Sequence, residues 1–514
     1  MKRLISVLLL FSMALALCAC GSNSAQVQET TVALPQETTA TESQETTTTE
    51  SEPSTAAAAV EAMNSATEFS VGYCKKDITP QTSVPLAGFG RSSERMSRAI
   101  LDNLYATAVA LTDGEGNTVL WIALDLQRAN FALVQAMRPL INQATGIPED
   151  RIMFGGSHTH SGPDVLTTTH PAIISYLDYL YPLILEAALE ALADMKPAQM
   201  YYGSAETENL NFVKHYQNTN DDGTVSFFGD NFGTEVLDET TKHATDADTT
   251  MHLLKFTREG EKDIVVVNWR AHATLTGGSN KYNLSADYVG AFRTALEQQA
   301  NCEFAFFNGA AGNINAKSRI VSEQRATDYL EHGYLLSQYA MEGLSNMTQL
   351  ETGTIRTQQE VMELNVNRPD DETYINAKSV WAYFNQTGDS ATGKTMGEPY
   401  GIRSVYHAEM LVIRYGKPET LPVEVNAITI GDSFAMTTAP NELFDSLISD
   451  LENESPYKCL MYMGYANGNQ GYIPSNYGWE YTCYESDCSY FYPGSGEEIT
   501  GTMLKLLNNI KSGA

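Results

Sequence analysis

Strand and helix patterns alternate along this chain, and its polar clusters fall where the strand patterns end. That combination constrains the fold more than any composition figure does. Residues 104–111 and 118–125 are apolar, β-branched runs separated by Asp113-Gly114-Glu115-Gly116-Asn117, which predicts a hairpin. Residues 131–144 have helical spacing, and 151–157 read as a strand. Residues 183–195 predict an amphipathic helix with Pro182 at or near its start. Residues 252–256 and 263–269 predict a strand pair around Glu259-Gly260-Glu261. Residues 287–299 and 327–344 are helical, with a short strand at 303–308 between them. Residues 410–414 and 423–438 predict further strands, and 441–451 a helix. The alternation implies an α/β or α+β fold, a mixed β-sheet core flanked by helices.

The N-terminus bears on the compartment. Lys2 and Arg3 precede an apolar stretch, residues 4–17, that is too short to span a membrane. Leu17-Cys18-Ala19-Cys20-Gly21 resembles a bacterial lipoprotein signal. It predicts a signal peptide at 1–19 and a lipid on Cys20 that tethers an exported protein to the outer face of the cell membrane. The other reading is an ordinary cleaved signal peptide. Residues 20–67 are mostly Thr, Ser, Glu, Gln and Ala, too poor in apolar side chains to offset chain entropy, and predict a disordered linker or stalk. Residues 68–514 are long enough for a sizeable core, in one large domain or two fused ones. The net charge of −31 argues against a nucleic-acid partner, because phosphates would be repelled.

Beyond Cys18 and Cys20 the cysteines are Cys74, Cys302, Cys459, Cys483 and Cys488, an odd number. Cys483 and Cys488 are close enough to form a small disulfide loop in an oxidising compartment, or to remain thiols. No spacing reads as a cysteine zinc site.

Five clusters carry candidate chemistry. Ser157-His158-Thr159-His160-Ser161-Gly162-Pro163 follows the strand pattern at 151–156. Two histidines at i and i+2 in extended backbone point the same way, as a metal or substrate pocket requires. Asn268-Trp269-Arg270-Ala271-His272 ends another strand. In Phe307-Asn308-Gly309-Ala310-Ala311-Gly312-Asn313-Ile314-Asn315 a strand enters a Gly-rich turn. It is either a backbone ligand contact or a tight turn. It lacks the Lys-Ser/Thr of a phosphate loop. Glu442, in Ala439-Pro440-Asn441-Glu442, is expected in the first turn of a helix, where it would complement the dipole. Gly464-Tyr465-Ala466-Asn467-Gly468-Asn469-Gln470-Gly471-Tyr472, with Tyr484-Glu485 beyond it, is the fifth cluster.

Taken in order, these segments resemble the N-terminal catalytic domain of the neutral/alkaline, non-lysosomal ceramidases. The resemblance begins at Val71-Gly72 and Asp77-Ile78-Thr79-Pro80 and continues through Ala87-Gly88-Phe89-Gly90 and Leu104-Tyr105-Ala106. It then takes in all five clusters and runs nearly to the C-terminus. It implies one Zn2+ held by His158, His272, Glu442 and Tyr472, with His160 and Tyr484 at the substrate carbonyl and Gly88 nearby. Asn315 stands where the family carries its nucleophilic serine, and the register of Ser318 is wrong for that role. After Asn211 the chain has Phe212-Val213-Lys214-His215 in place of the family's arginine, so Lys214 or His215 are the candidates for substrate binding. The family's additional C-terminal β-domain is not expected.

The resemblance implies a zinc-dependent hydrolase of an amide or ester, acting on a small or lipid-like N-acyl substrate. Metal-activated water would be the nucleophile, because no serine is placed for it. The rival reading is a ligand-binding surface lipoprotein descended from such an enzyme. A structural surface protein is a third reading, resting on the stalk alone.

Overall fold

Alternating side chains along the strands set the layers of this molecule. The structure, a computed structural model, describes residues 55–89, 95–229, 237 and 240–513. The predicted signal peptide, Cys20 and the first part of the linker lie outside them. One sheet has nine strands: β1 (Ser70–Asp77), β2 (Tyr105–Thr112), β3 (Thr118–Leu124), β4 (Ile152–Gly156), β5 (Lys196–Glu206), β6 (Thr250–Arg258), β7 (Ile264–Trp269), β8 (Glu303–Asn308) and β9 (Thr348–Leu350). Their order is β8-β7-β6-β5-β1-β2-β3-β4, with β9 beside β5. The β3·β4 and β7·β8 pairs are parallel and the rest antiparallel. A second sheet runs β10 (Ile355–Asn365), β11 (Thr420–Ile430), β12 (Phe434–Thr438), β13 (Cys459–Met463), in which only β12·β13 is parallel.

The two sheets share a core. Val119, Trp121 and Ala123 of β3 meet Ile428, Phe434, Met436 and Met461 of the second sheet. Leu120, Ile122 and Leu124 point the other way, into a helical layer. β7 and β8 divide in the same period of two: Ile264, Val266, Ala305 and Phe307 face the second sheet, while Val265, Val267, Phe304 and Phe306 face helices. Strands buried on both faces are apolar throughout, which is why their runs stand out in the sequence. Each such side chain contributes about 1.5–3 kcal/mol on burial.

Helices α1 (Thr55–Ser65), α2 (Phe131–Thr145) and α3 (Pro171–Ala193) cover β2–β4, and α4 (Tyr288–Ala300) and α5 (Tyr329–Ser345) cover β6–β8. Between β10 and β11 lie α6 (Asp371–Thr387), α7 (Ser390–Gly397) and α8 (Val405–Tyr415), with a small core of their own. The outer face of the second sheet is covered by α9 (Asp445–Glu454) and α10 (Ser495–Ser512). The whole is a mixed-sheet core flanked by helices, with two stacked sheets at its centre.

Four local expectations change. Residues 55–65, expected within the disordered linker, form α1: its alanine run is the best helix former, and Ala59 is buried in the core with α3. The helix expected from about 183 begins at Pro171, with His170 as its cap, so Pro182 lies inside it. Burial of Tyr176, Leu180, Ile184 and Leu192 outweighs the lost backbone bond. Residues 410–414 belong to helix α8, capped by Ser404, because a short apolar run does not distinguish strand from helix. Glu442 lies in a two-residue strand ahead of α9, paired in parallel with Tyr472.

Candidate metal centre

The carboxyl ends of β3, β4, β7, β8, β12 and β13 supply the loops of one site, the usual place for sites in such sheets. His158 follows β4. Its backbone is left-handed, φ 66°, and not extended as the i, i+2 argument requires. A non-glycine residue held there is strained. The conformation is fixed by Ser157 N–H donating to Leu124 O and His158 N–H to Leu126 O. His272 follows β7. Its N–H donates to Ile314 O, and a bridge pairs it with Asn315. His160 N–H donates to Ala273 O, which joins the first two loops. Glu442 and Tyr472 face each other across their short strand pair. Glycine permits this closeness: a Cβ on Gly312 would lie 2.3 Å from Glu442 O. The glycines of that turn therefore serve backbone packing.

The side chains converge. Glu442 Oε2 lies 3.6 Å from His158 Nε2 and 3.5 Å from His272 Nε2. Tyr472 Oη is 3.3 Å from His272 Nε2. The Nε2 atoms of His158 and His160 are 3.3 Å apart. All of these side chains but the partly exposed His160 and Tyr472 are buried.

The other ring nitrogens decide what the cluster wants. His158 Nδ1 is 2.9 Å from Gln127 O, and His272 Nδ1 is 3.0 Å from Ile314 O. A carbonyl only accepts, so both Nδ1 atoms carry hydrogen. In the neutral rings both Nε2 lone pairs then point at Glu442. Burial, then the neighbouring histidines, pushes His158 well below the usual imidazole range, and burial lowers His272 as well. Burial pushes Glu442 up, but the His272 contact and the Arg128 charge outweigh it and hold the carboxyl below its ordinary range. Glu442 Oε2 is buried without a hydrogen-bond partner.

The Tyr472 hydroxyl can donate to His272 Nε2, but the His158 lone pair and the carboxylate oxygen face each other with no proton between them and repel, unless a cation sits among them. Tetrahedral zinc with bonds of about 2.0–2.1 Å separates its ligand atoms by about 3.3 Å, close to the spacings here. The donor set fits zinc, and carbonyl partners on Nδ1 are the usual outer support of metal-binding histidines.

His160 is held differently. The Gln127 amide lies 3.3 Å from its Nε2, Phe89 packs edge-on at 5.3 Å, and Arg95 donates to its carbonyl. Gly88, φ 80°, leaves it room, since a Cβ there would lie 2.4 Å from the ring. Tyr484 stands beside Tyr472, with ring centroids 5.9 Å apart. Burial first, then nearby negative charge, raises both phenols well above the usual range. Lys214 Nζ lies 5.0 Å from the centre of the Tyr472 ring and pairs with Glu485 Oε1 at 2.8 Å.

His215 turns away. It is fully buried, with Nε2 at 2.8 Å from Glu485 and Nδ1 at 3.1 Å from Tyr477 Oη, so neither nitrogen is left for a substrate. Asn315 stands opposite His272 and across from Phe212. Ser318 is buried elsewhere, against Glu323 and His243. Cys483 and Cys488 are free thiols.

Sequence reasoning missed Gln127, whose backbone carbonyl serves His158 and whose side-chain amide serves His160. It also left Tyr465 without a role, though its ring stacks on His158 at 3.9 Å. Gln127 sits just past β3, the strand-end position that marked the other clusters.

Fold and cluster define a class: an α/β protein with a set of side chains, fit to hold a cation, at the carboxyl ends of its strands. The family model described as neutral/alkaline non-lysosomal ceramidase, N-terminal, matches residues 69–322, which form a domain of that family. The crystal structure of neutral ceramidase from Pseudomonas aeruginosa is similar, with TM-score 0.63 and 16% identity over 87% of this chain and 75% of that one. A ceramidase complexed with C2 gives 0.62 and 14% over the same shares. These likenesses extend the common fold beyond residue 322. Glu442, Tyr472 and Tyr484 lie past the family match, and the geometry above joins them to His158 and His272.

Proposed function

We propose that the protein is a zinc-dependent hydrolase of amide bonds in ceramide-like N-acyl substrates, or of the corresponding esters. The observation that carries this is the convergence of His158 Nε2, His272 Nε2 and the unpartnered Glu442 Oε2, in a chain whose residues 69–322 form a ceramidase-family domain. His158, His272, Glu442 and Tyr472 would hold the ion. A zinc ion supplies a Lewis acid that polarises a carbonyl and lowers the pKa of a water to about 7.

The chain's own residues account for the rest. Water adds to the carbonyl carbon, the C–N bond breaks, and the proton from water passes to the leaving amine. His160, oriented by Gln127 and Gly88, carries that proton. Tyr484, a neutral phenol, donates to the developing oxyanion. Asn315 offers an amide and no nucleophile, which leaves attack to water. That same substitution favours the alternative, a ligand-binding protein without turnover. We also propose that a lipid on Cys20 tethers the protein to the outer face of the membrane.

The test is hydrolysis of a short-chain fluorescent ceramide and its ester analogue by zinc-loaded and chelator-stripped protein. Cleavage restored by zinc alone is the expected result. Equal cleavage after stripping would sink the zinc dependence. No cleavage of these or of charged N-acyl compounds by folded, zinc-loaded protein would favour the binding reading.

A further inference from the structure

Among the described residues, the buried arginines are all engaged. Arg138 pairs with Glu424, Arg258 with Asp194, Arg270 with Asp248 and Arg293 with Asp125, while Arg95 and Arg414 donate to backbone carbonyls. Arg128 differs. It is half-buried and its guanidinium has no ion pair among the described residues; its Nε is buried without a hydrogen-bond partner, as are those of Arg258, Arg293 and Arg414, but unlike theirs its terminal nitrogens meet no carboxylate or carbonyl either. The chain holds 63 acidic against 32 basic residues, so the missing partner does not reflect a shortage of carboxylates.

Its place in the fold is fixed on three sides. A Cβ on Gly156, two residues before His158, would lie 2.8 Å from Arg128 Cα. The preceding residue, Gln127, supports His158 with its carbonyl and His160 with its amide. Three residues on, Phe131 packs against Gly468 of the tyrosine-rich loop. The guanidinium is near enough for its charge to act on His158, His160 and Glu442. Of the other cations near the site, Lys214 is already neutralised by Glu485, and Arg95 donates to the backbone carbonyls of Ala87, His160 and Lys281.

We propose that Arg128 is an anion-recognition residue of this site, and that the preferred substrate carries an anionic oxygen group, a carboxylate above all, on the amine side of the scissile amide. The substrate class is then an N-acyl amino acid, not an uncharged N-acyl amine. This rests on the hydrolase reading above. A guanidinium matches a carboxylate with two parallel hydrogen bonds, and in a partly dry site such a pair strengthens.

The experiment compares N-dodecanoylglycine, N-dodecanoyltaurine and neutral N-dodecanoylethanolamine with zinc-loaded protein, in kcat/KM and, separately, in binding by calorimetry. The wild type should favour the glycine conjugate over the neutral compound by about tenfold to a hundredfold, the scale of a hydrogen-bonded charge. In Arg128→Gln that ratio should fall to near one, and Arg128→Lys should keep part of it. A preference for the taurine conjugate over the glycine conjugate would overturn carboxylate as the group. Absence of turnover, with tighter binding of the glycine conjugate that Arg128→Gln loses, would sink the hydrolase reading and keep the anion site. Equal handling of charged and neutral compounds by the wild type, or a ratio unchanged in Arg128→Gln, would overturn the proposal.

Discussion

Two neighbouring regions of this molecule are built from the same side-chain types and end in opposite states. In one, His158, His272, Glu442 and Tyr472 aim polar atoms at a common point. In the other, Lys214, His215, Glu485, Tyr477, Asn313 and Asp445 form a buried chain. There Glu485 faces Lys214 through one oxygen and His215 through the other, Tyr477 reaches both His215 and Asn313, and Asn313 donates to Asp445. By distance alone either region could hold an ion, since donor atoms of His215, Cys483 and Glu485 also lie within 4.8 Å of one another. What separates them is how closely the carboxylate is met: Glu485 lies 2.8 Å from both the Lys214 ammonium and His215, whereas Glu442 Oε2 faces two imidazole nitrogens at 3.5 and 3.6 Å. The second region already contains its cation, the Lys214 ammonium. The first has a buried carboxylate oxygen with no partner and two imidazole lone pairs turned toward it. A satisfied buried network holds structure in place, and an unsatisfied one marks where a ligand belongs.

That contrast can be broken by mutation. The largest effect is expected at Glu442. Glu442→Gln should weaken zinc binding by more than about a hundredfold, beyond what loss of a ligand's outer partner costs. Chelator competition reads this directly, and folding should persist. Glu485→Ala should act the other way: it leaves Lys214 and His215 buried without their carboxylate, at about 3–5 kcal/mol of stability in chemical denaturation. Zinc should remain on the folded fraction. If Glu485→Ala released zinc without loss of stability, the two regions would have exchanged roles.

The pH dependence of stability sharpens the same difference. Burial pushes Glu485 up, but Lys214 and then His215 outweigh it and hold its pKa far below the usual carboxylate range. A group with a depressed folded pKa stabilises the fold above its unfolded pKa, about 4.3 for glutamate. That contribution is lost as pH falls below this value toward the folded pKa. Denaturation midpoints should therefore drop more steeply below about pH 4 in the wild type than in Glu485→Gln; parallel curves would contradict the assignment.

A smaller effect is expected beside the cation cluster. Gly88→Ala places a Cβ against the His160 ring and forces a residue with φ 80° into strain. Turnover should fall about tenfold to a hundredfold, as for a displaced catalytic group, while zinc content stays constant. Unchanged turnover would remove His160 from the reaction.

How far the sequence announced all this follows from the same physics. The strand at 303–308 has the bounds expected of it, and the hairpin 105–124 lies where its turn residues put it, because those strands are apolar on both faces. Helix α6 gave no comparable signal, since it buries only Ala377 and Val380, whereas α10 carries Ile499, Met503, Leu506, Leu507 and Ile510 at helical spacing, a pattern legible in the sequence that the expectations above omit. His158 and His160 were legible as a pair, but not through an extended backbone, since His158 is held at its positive φ by bonds to Leu124, at the end of another strand, and to Leu126 just past it. Glu442 was visible at a strand end, yet its pairing with Tyr472 spans twenty-nine intervening positions that no local period encodes. Arg128 could not be seen at all, because the lack of a partner is a property of the folded surroundings.

The most direct test of the account is the metal content of the purified protein after dialysis against limiting zinc, measured by elemental analysis beside His272→Ala. The account predicts about one zinc per wild-type chain and close to none in the folded variant. Equal zinc in both, or none in the wild type, would contradict it.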